Sequence, residues 1–165
     1  MQIMQTAKRI QVLSKHTANQ IAAGEVVERP ASIVKELVEN SIDAGSTAIT
    51  IEINGGGIDY IKITDNGSGI LAEDVPTAFL RHATSKISSA DDLGHISTLG
   101  FRGEALSSIA AVSRLTMRTR TKNAESGTKI HIEGGDIKEC AECGCAEGTA
   151  IEVRIVFYNV PARLK

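Results

Sequence analysis

The sequence predicts an α+β sandwich, with helices packed on one face of a mostly antiparallel, mixed sheet. Two observations carry this. Five segments alternate apolar and polar residues at the period of a strand: Ile49, Ile51 and Ile53; Ile61 and Ile63; Leu115, Met117 and Thr119; Ile130 and Ile132; Ile151, Val153 and Ile155. Helical patterns cluster before the first pair of these segments and between that pair and the last three, and the links among the strands are short and hairpin-like.

Composition bounds the reading. The chain has 165 residues, 42% of them hydrophobic and 23% charged, with a formal charge of -2, which suits one soluble domain. Apolar runs of about four residues fall far short of the ~20 that span a bilayer, so no membrane partner is expected. No signal-like segment follows Met1, and the cytoplasm is the expected address. The five aromatic residues, Tyr60, Phe79, Phe101, Phe157 and Tyr158, cannot build a row of base-stacking side chains. Arg114, Arg118, Arg120 and Lys122 form a local basic cluster that suits either DNA contact or a solvated strand face.

Taken in order, residues 1–16 are polar and read as an arm, with Ile10, Val12 and Leu13 as a short apolar piece. Residues 17–27 read as a short helix. Pro30 opens a second helix that runs to Asp43, where Ala44 and Gly45 stop it. The strand at 48–54, the turn Gly55–Gly57 and the returning strand form a hairpin that ends in Asp65-Asn66-Gly67-Ser68-Gly69. Residues 72–82 read as a helix despite Pro76. Residues 83–99 are rich in Ser, Thr, Asp and Gly and read as a lid. Glycines at 100 and 103 open a helix over 104–112, and three strands complete the chain. Cys140, Cys143 and Cys145 read as reduced thiols in a turn-rich connection, since three cysteines supply too few ligands for a closed zinc site.

Three constellations could carry chemistry. On the helix from Pro30, Glu36, Asn40 and Asp43 fall within about 60° of one another beside the apolar face. A carboxylate and an amide oxygen one turn apart suit water activation and a hard cation such as Mg²⁺; on this pattern alone a plain amphipathic helix with a polar border is the simpler reading. Asp65 to Gly69 lacks the oxygen ligands of a calcium loop and matches a dinucleotide fingerprint only loosely, leaving a nucleobase site or a plain glycine turn. Gly100-Phe101-Arg102-Gly103-Glu104-Ala105-Leu106 places glycines before a helix, which exposes unpaired N–H groups to phosphate oxygens. No glycine is followed directly by lysine, so the P-loop is excluded. Together these specify a nucleotide site.

The run from Ala18 through Gly24, Arg29, Pro30 and Lys35 to Gly45, the Asp65 to Gly69 loop, Arg81-His82-Ala83-Thr84-Ser85-Lys86 and Gly100 to Leu106 resemble the N-terminal ATPase domain of the MutL mismatch-repair family, within the GHKL superfamily. The resemblance spans Ile10 to Lys165. It implies the Bergerat ATPase fold over one domain at 1–165, with ATP and Mg²⁺ as cofactors. It implies Glu36 as the general base, Asn40 as the Mg²⁺ ligand, and Asp65 as reader of the adenine amine beside Gly69. Thr149 supports that end of the pocket, and Lys86 and Gly100 to Leu106 surround the phosphates. Asp43 takes a supporting role. The implied activity is slow ATP hydrolysis that drives N-terminal self-association. A MutS-type recognition protein and DNA, weakly through Arg114, Arg118, Arg120 and Arg163, are the implied partners. Ile155 and Val160 depart from the family's usual run here. Family members continue into transducer and dimerisation domains that these 165 residues do not contain. The alternative is a nucleotide- or partner-binding module that does not hydrolyse ATP productively without them.

Overall fold

The computed structural model describes residues 27–80 and 102–160, with side chains from Ala105 onward in the second stretch. The expected arm, first helix and lid, together with Lys86, Gly100, Phe101 and Arg163, lie outside these residues. No described helix is long and apolar enough to cross a membrane.

Helix α1 spans Pro30–Asp43, with proline in its first turn, where a missing N–H costs nothing. Ile33, Leu37 and Ser41 recur every four residues and are its buried stripe. It ends where Gly45 adopts φ +77°, and the N–H groups of Ala44, Gly45 and Ser46 return to the carbonyls of Asn40, Ile42 and Ser41. Strands β1 (Ile49–Asn54) and β2 (Tyr60–Asp65) form the expected hairpin around a 3₁₀ turn at Gly55–Gly57. Helix α2 covers Arg102–Ala111, and the chain continues through β3 (Arg114–Arg120), β4 (Gly127–Glu133), β5 (Asp136–Cys143) and β6 (Gly148–Arg154).

The strand order is β1-β2-β6-β3-β4-β5, and all five pairings among the described strands are antiparallel. The inner face carries Ile61, Ile63, Leu115, Met117, Ile130, Ile132 and Val153, all at 2% exposure or less, against Ile33, Leu37, Ile109 and Val112 of the helical layer. The outer face is charged. There Glu152 lies within 4 Å of Lys62, Arg118 and Arg154, and Lys129 pairs with Glu139.

Three expectations are corrected. Of the helix expected over 72–82, the described residues 72–80 hold no α-helix but two 3₁₀ turns, Ala72–Asp74 and Thr77–Phe79. Pro76 lacks the N–H that an α-helix needs and crowds the turn before it, so each piece stops after one turn. The last part of the chain has four strands, not three: β5 places Cys140 and Cys143 in the sheet rather than in a turn-rich connection. Ile155, expected in the last strand, lies just past its end at φ +45°. The inner face of β1 is also more open than its alternation suggests, with Ile51 and Ile53 near half exposed at the sheet edge.

Candidate functional site

The end of β2 delivers Asp65 beneath the end of α1, and the two segments are tied together. The Asn66 side chain caps the β1 approach: its Oδ1 accepts the N–H groups of Thr47 and Ala48 at 2.8 and 3.0 Å, and its Nδ2 donates to Thr47 Oγ1 at 2.8 Å. The Ser68 N–H reaches the Ala44 carbonyl at 2.9 Å. Gly67 permits this approach, since a Cβ there would press on Ala44 and Ser46. The loop is thereby clamped to the helix that carries Glu36 and Asn40.

Asp65 is fixed at both oxygens. Its Oδ1 accepts the Gly67 N–H at 2.8 Å and the Thr149 N–H at 3.2 Å, and its Oδ2 accepts the Ser41 hydroxyl at 2.7 Å. A carboxylate has about four acceptor sites, so roughly one remains for a further donor. A second knot lies alongside. Thr119 Oγ1 accepts the Ile70 N–H at 2.9 Å, donates to the Gly148 carbonyl at 3.0 Å and lies 2.9 Å from Thr149 Oγ1. Its single proton is spent on Gly148, so the Thr149 hydroxyl is the donor between the two threonines. Gly69 turns at φ +71° with the Arg120 carbonyl where its Cβ would stand. Only a residue without a side chain closes the loop over β3.

These groups line a cleft of about 700 Å³ whose walls include Asn40, Asp43, Asp65, Gly69, Leu106 and Thr149. Apolar side chains such as Ile63, Met117 and Ile151 supply the rest of its wall, which suits a flat ring held by a few directed polar contacts. Glu36 is half-buried one turn before Asn40, about 6 Å along the helix axis. It stands beyond the described walls of the cleft and has its own interaction partner. Ala105 is fully buried. Arg102, Gly103 and Glu104 form the first turn of α2, one turn from Leu106 in the cleft wall. Two residues of this arrangement are not among the site residues expected from the sequence: Ser41, and Thr119, which is read there only as part of a strand. Ser41 was legible only as a polar residue on a helix's apolar stripe.

Of Glu36 and Asn40, Asn40 is the one that lines the cleft, with Asp43 beside it. A neutral amide oxygen suits Mg²⁺, which keeps several waters and takes most of its remaining ligands from phosphate. The donor set therefore fits that ion with a nucleotide, and no cluster of three or more His, Cys, Asp or Glu among the described residues offers another metal site.

The basic cluster is largely spoken for. Arg114 pairs with Glu133 at 3.5 Å, Arg118 with Glu152 at 3.9 Å, and Arg120 donates to the carbonyls of Cys145 and Ala124. His131 bridges Thr116 and Glu133 at 2.8 and 2.9 Å. That hydrogen bond, with the Arg114 charge, holds the Glu133 carboxyl below its ordinary range.

Residues 28–152 match the family described as histidine kinase-, DNA gyrase B- and HSP90-like ATPase. The chain is 61% identical over 157 residues to the DNA mismatch repair protein MutL of Caldanaerobacter subterraneus subsp. tengcongensis, covering 95% of the chain and 27% of that protein. The MutL of Geotalea uraniireducens is 58% identical over 159 residues, covering 96% and 26%. The chain thus spans about a quarter of the length of these relatives. Among solved structures, the Aquifex aeolicus MutL ATPase domain complexed with ADP superposes with TM-score 0.67 at 35% identity, over 84% of this chain and 47% of that one. The N-terminal domain of a DNA repair protein superposes with TM-score 0.72 at 33% identity, over 88% and 41%.

Proposed function

The chain belongs to the histidine kinase-, DNA gyrase B- and HSP90-like ATPases, and from that premise we propose that it is the ATP-binding domain of a MutL-type mismatch-repair protein. It binds ATP with Mg²⁺, hydrolyses it slowly and uses the bound state to bring two such domains together. The Asp65 carboxylate, pinned by three donors at the foot of an apolar cleft and left with about one free acceptor site, is the observation that carries this. An adenine amine supplies the missing donor. The relatives' mismatch-repair names and the ADP held by the Aquifex domain support the same reading.

In this reading Asp65 orients the base, Gly69 lets the backbone approach the ring, and Thr149 keeps the carboxylate in place. Asn40 would hold Mg²⁺, which when bound neutralises phosphate charge. The start of α2, from Arg102 to Leu106, presents N–H groups toward the phosphates together with Gly100, Phe101 and the lid residue Lys86. Glu36 orients the attacking water and takes its proton. Self-association and contact with a MutS-type protein are proposed for the whole protein.

Two variants test the assignment. Glu36→Ala is expected to bind a non-hydrolysable ATP analogue within a few-fold of the parent while turnover falls about 10²- to 10⁴-fold, the range of a lost general base. Unchanged turnover removes Glu36 from the mechanism. Asp65→Asn is expected to abolish binding in a calorimetric titration, and near-parental affinity overturns the adenine assignment.

A further inference from the structure

Away from the cleft, two of the three cysteines converge on one glycine. Cys140 and Cys143 sit three positions apart on β5, so strand alternation sends them to opposite faces. Cys140 is exposed and pairs in register with Ile130, on the helix side; Cys143 pairs with Gly127. Two residues on, the chain returns Cys145 to that same Gly127, where any Cβ would collide with the Cys145 sulfur. Both thiols are half-buried beside a position that has no side chain to separate them. Gly144 between them has open space where its Cβ would be, so no neighbour packs against the tripeptide at that point. Burial raises the Cys145 thiol above its ordinary value, and the charge and hydrogen bond of the Cys143 thiol push it further the same way.

We propose that Cys143-Gly144-Cys145 is a reversible dithiol–disulfide site, oxidised by small-molecule disulfides of the glutathione class. The Cys143 thiolate attacks one sulfur of the small disulfide, forming a mixed disulfide and releasing one thiolate, which takes a proton from water. Cys145 then loses its proton to solvent and attacks the Cys143 sulfur, releasing the second small thiol. Two cysteine thiols are oxidised by two electrons, and one small disulfide is reduced to two thiols. Cys145, whose thiol burial holds above its own ordinary range, takes the second step. A ring closed across one glycine is strained, and strained disulfides have more oxidising potentials and are the readily reduced ones. The site adjoins the cleft: the Cys145 carbonyl accepts Arg120 Nε at 2.9 Å, and the Arg120 carbonyl closes over Gly69.

The test equilibrates the chain across defined ratios of reduced to oxidised glutathione, quenches with acid, alkylates and maps the cysteines by tandem mass spectrometry. The expected product is a single intramolecular disulfide between Cys143 and Cys145, reversed by reduced glutathione, with Cys140 alkylated. Cys140→Ala is expected to keep the same midpoint ratio, whereas Cys143→Ala and Cys145→Ala stop at a glutathione adduct. A disulfide that includes Cys140, or glutathione adducts without an intramolecular bond at every ratio, overturns the proposal. The parental chain alone gives this answer, and it holds whether or not the cleft takes ATP.

Discussion

Ser41 shows how one hydroxyl conditions the cleft. It is 3% exposed on the buried stripe of α1, where an apolar residue would pack, and its hydrogen bond to Asp65 Oδ2 is what makes that burial tolerable. Ser41→Ala leaves the carboxylate short of a donor while removing little volume. A hydrogen bond to a charged group contributes about 1.5 to 3 kcal/mol, so the urea midpoint is expected to fall by that equivalent. Affinity for an ATP analogue is expected to weaken about tenfold, because Asp65 loses its fixed orientation, while Ser41→Thr retains part of both. An alanine variant with parental affinity and stability would show that Gly67 and Thr149 position the carboxylate without help. No sequence pattern announced this role, since Ser41 and Asp65 are 24 residues apart and only the fold makes them neighbours. Asp65 and Gly69 stand out in the sequence because an acid followed by alternating glycines has few uses; the fold brings both to one cleft, where Gly69 makes its close approach to the Arg120 carbonyl.

At the scale of elements, legibility followed burial. Period-two alternation exists where one face of a strand is dry, and β3, β4 and β6 show it plainly, with inner residues such as Leu115, Met117, Ile130 and Val153 at 0% exposure. Strand β5 lies at the sheet edge with seven of its eight residues exposed, so selection for an apolar face left almost no trace, and Ile137 alone could not reveal it. The pair of 3₁₀ turns was misread for the opposite reason: Leu71, Val75, Ala78 and Phe79 fall at helical spacing, but Pro76 withholds the hydrogen bond that would join them. The same burial contrast sets the cost of mutation. Leu37→Ala, fully buried between α1 and the sheet, is expected to destabilise the chain by about 2 to 5 kcal/mol. Ile137→Ser on β5 is expected to change stability by at most about 0.5 kcal/mol. Chemical denaturation of both variants checks this, and equal losses would mean that β5 is covered rather than exposed.

The sheet presents two unlike faces, an apolar one under helices and a charged one in solvent, and on the charged face carboxylates offset part of the basic cluster. Arg118, Lys62 and Arg154 share the single carboxylate of Glu152, which offsets one of their three charges, and Arg114 is matched by Glu133, so the cations that composition exposes are offset only in part. Surface pairs of this kind contribute little stability, about 0 to 1 kcal/mol each, and their larger effect is on long-range attraction. Duplex DNA is therefore expected to bind the parental chain weakly at physiological salt. Glu152→Gln removes the shared anion while keeping the shape of the side chain, which frees up to three cations on neighbouring strands β2, β3 and β6. Each cation that then meets a phosphate steepens the dependence of log K on log salt by about 0.9, so the variant should bind more tightly at low salt and converge on the parent at high salt. Fluorescence anisotropy with a labelled duplex across a salt series measures both quantities. Coincident curves for the two proteins would mean that this face does not meet the phosphate backbone, and that its arginines serve only to neutralise the carboxylates beside them.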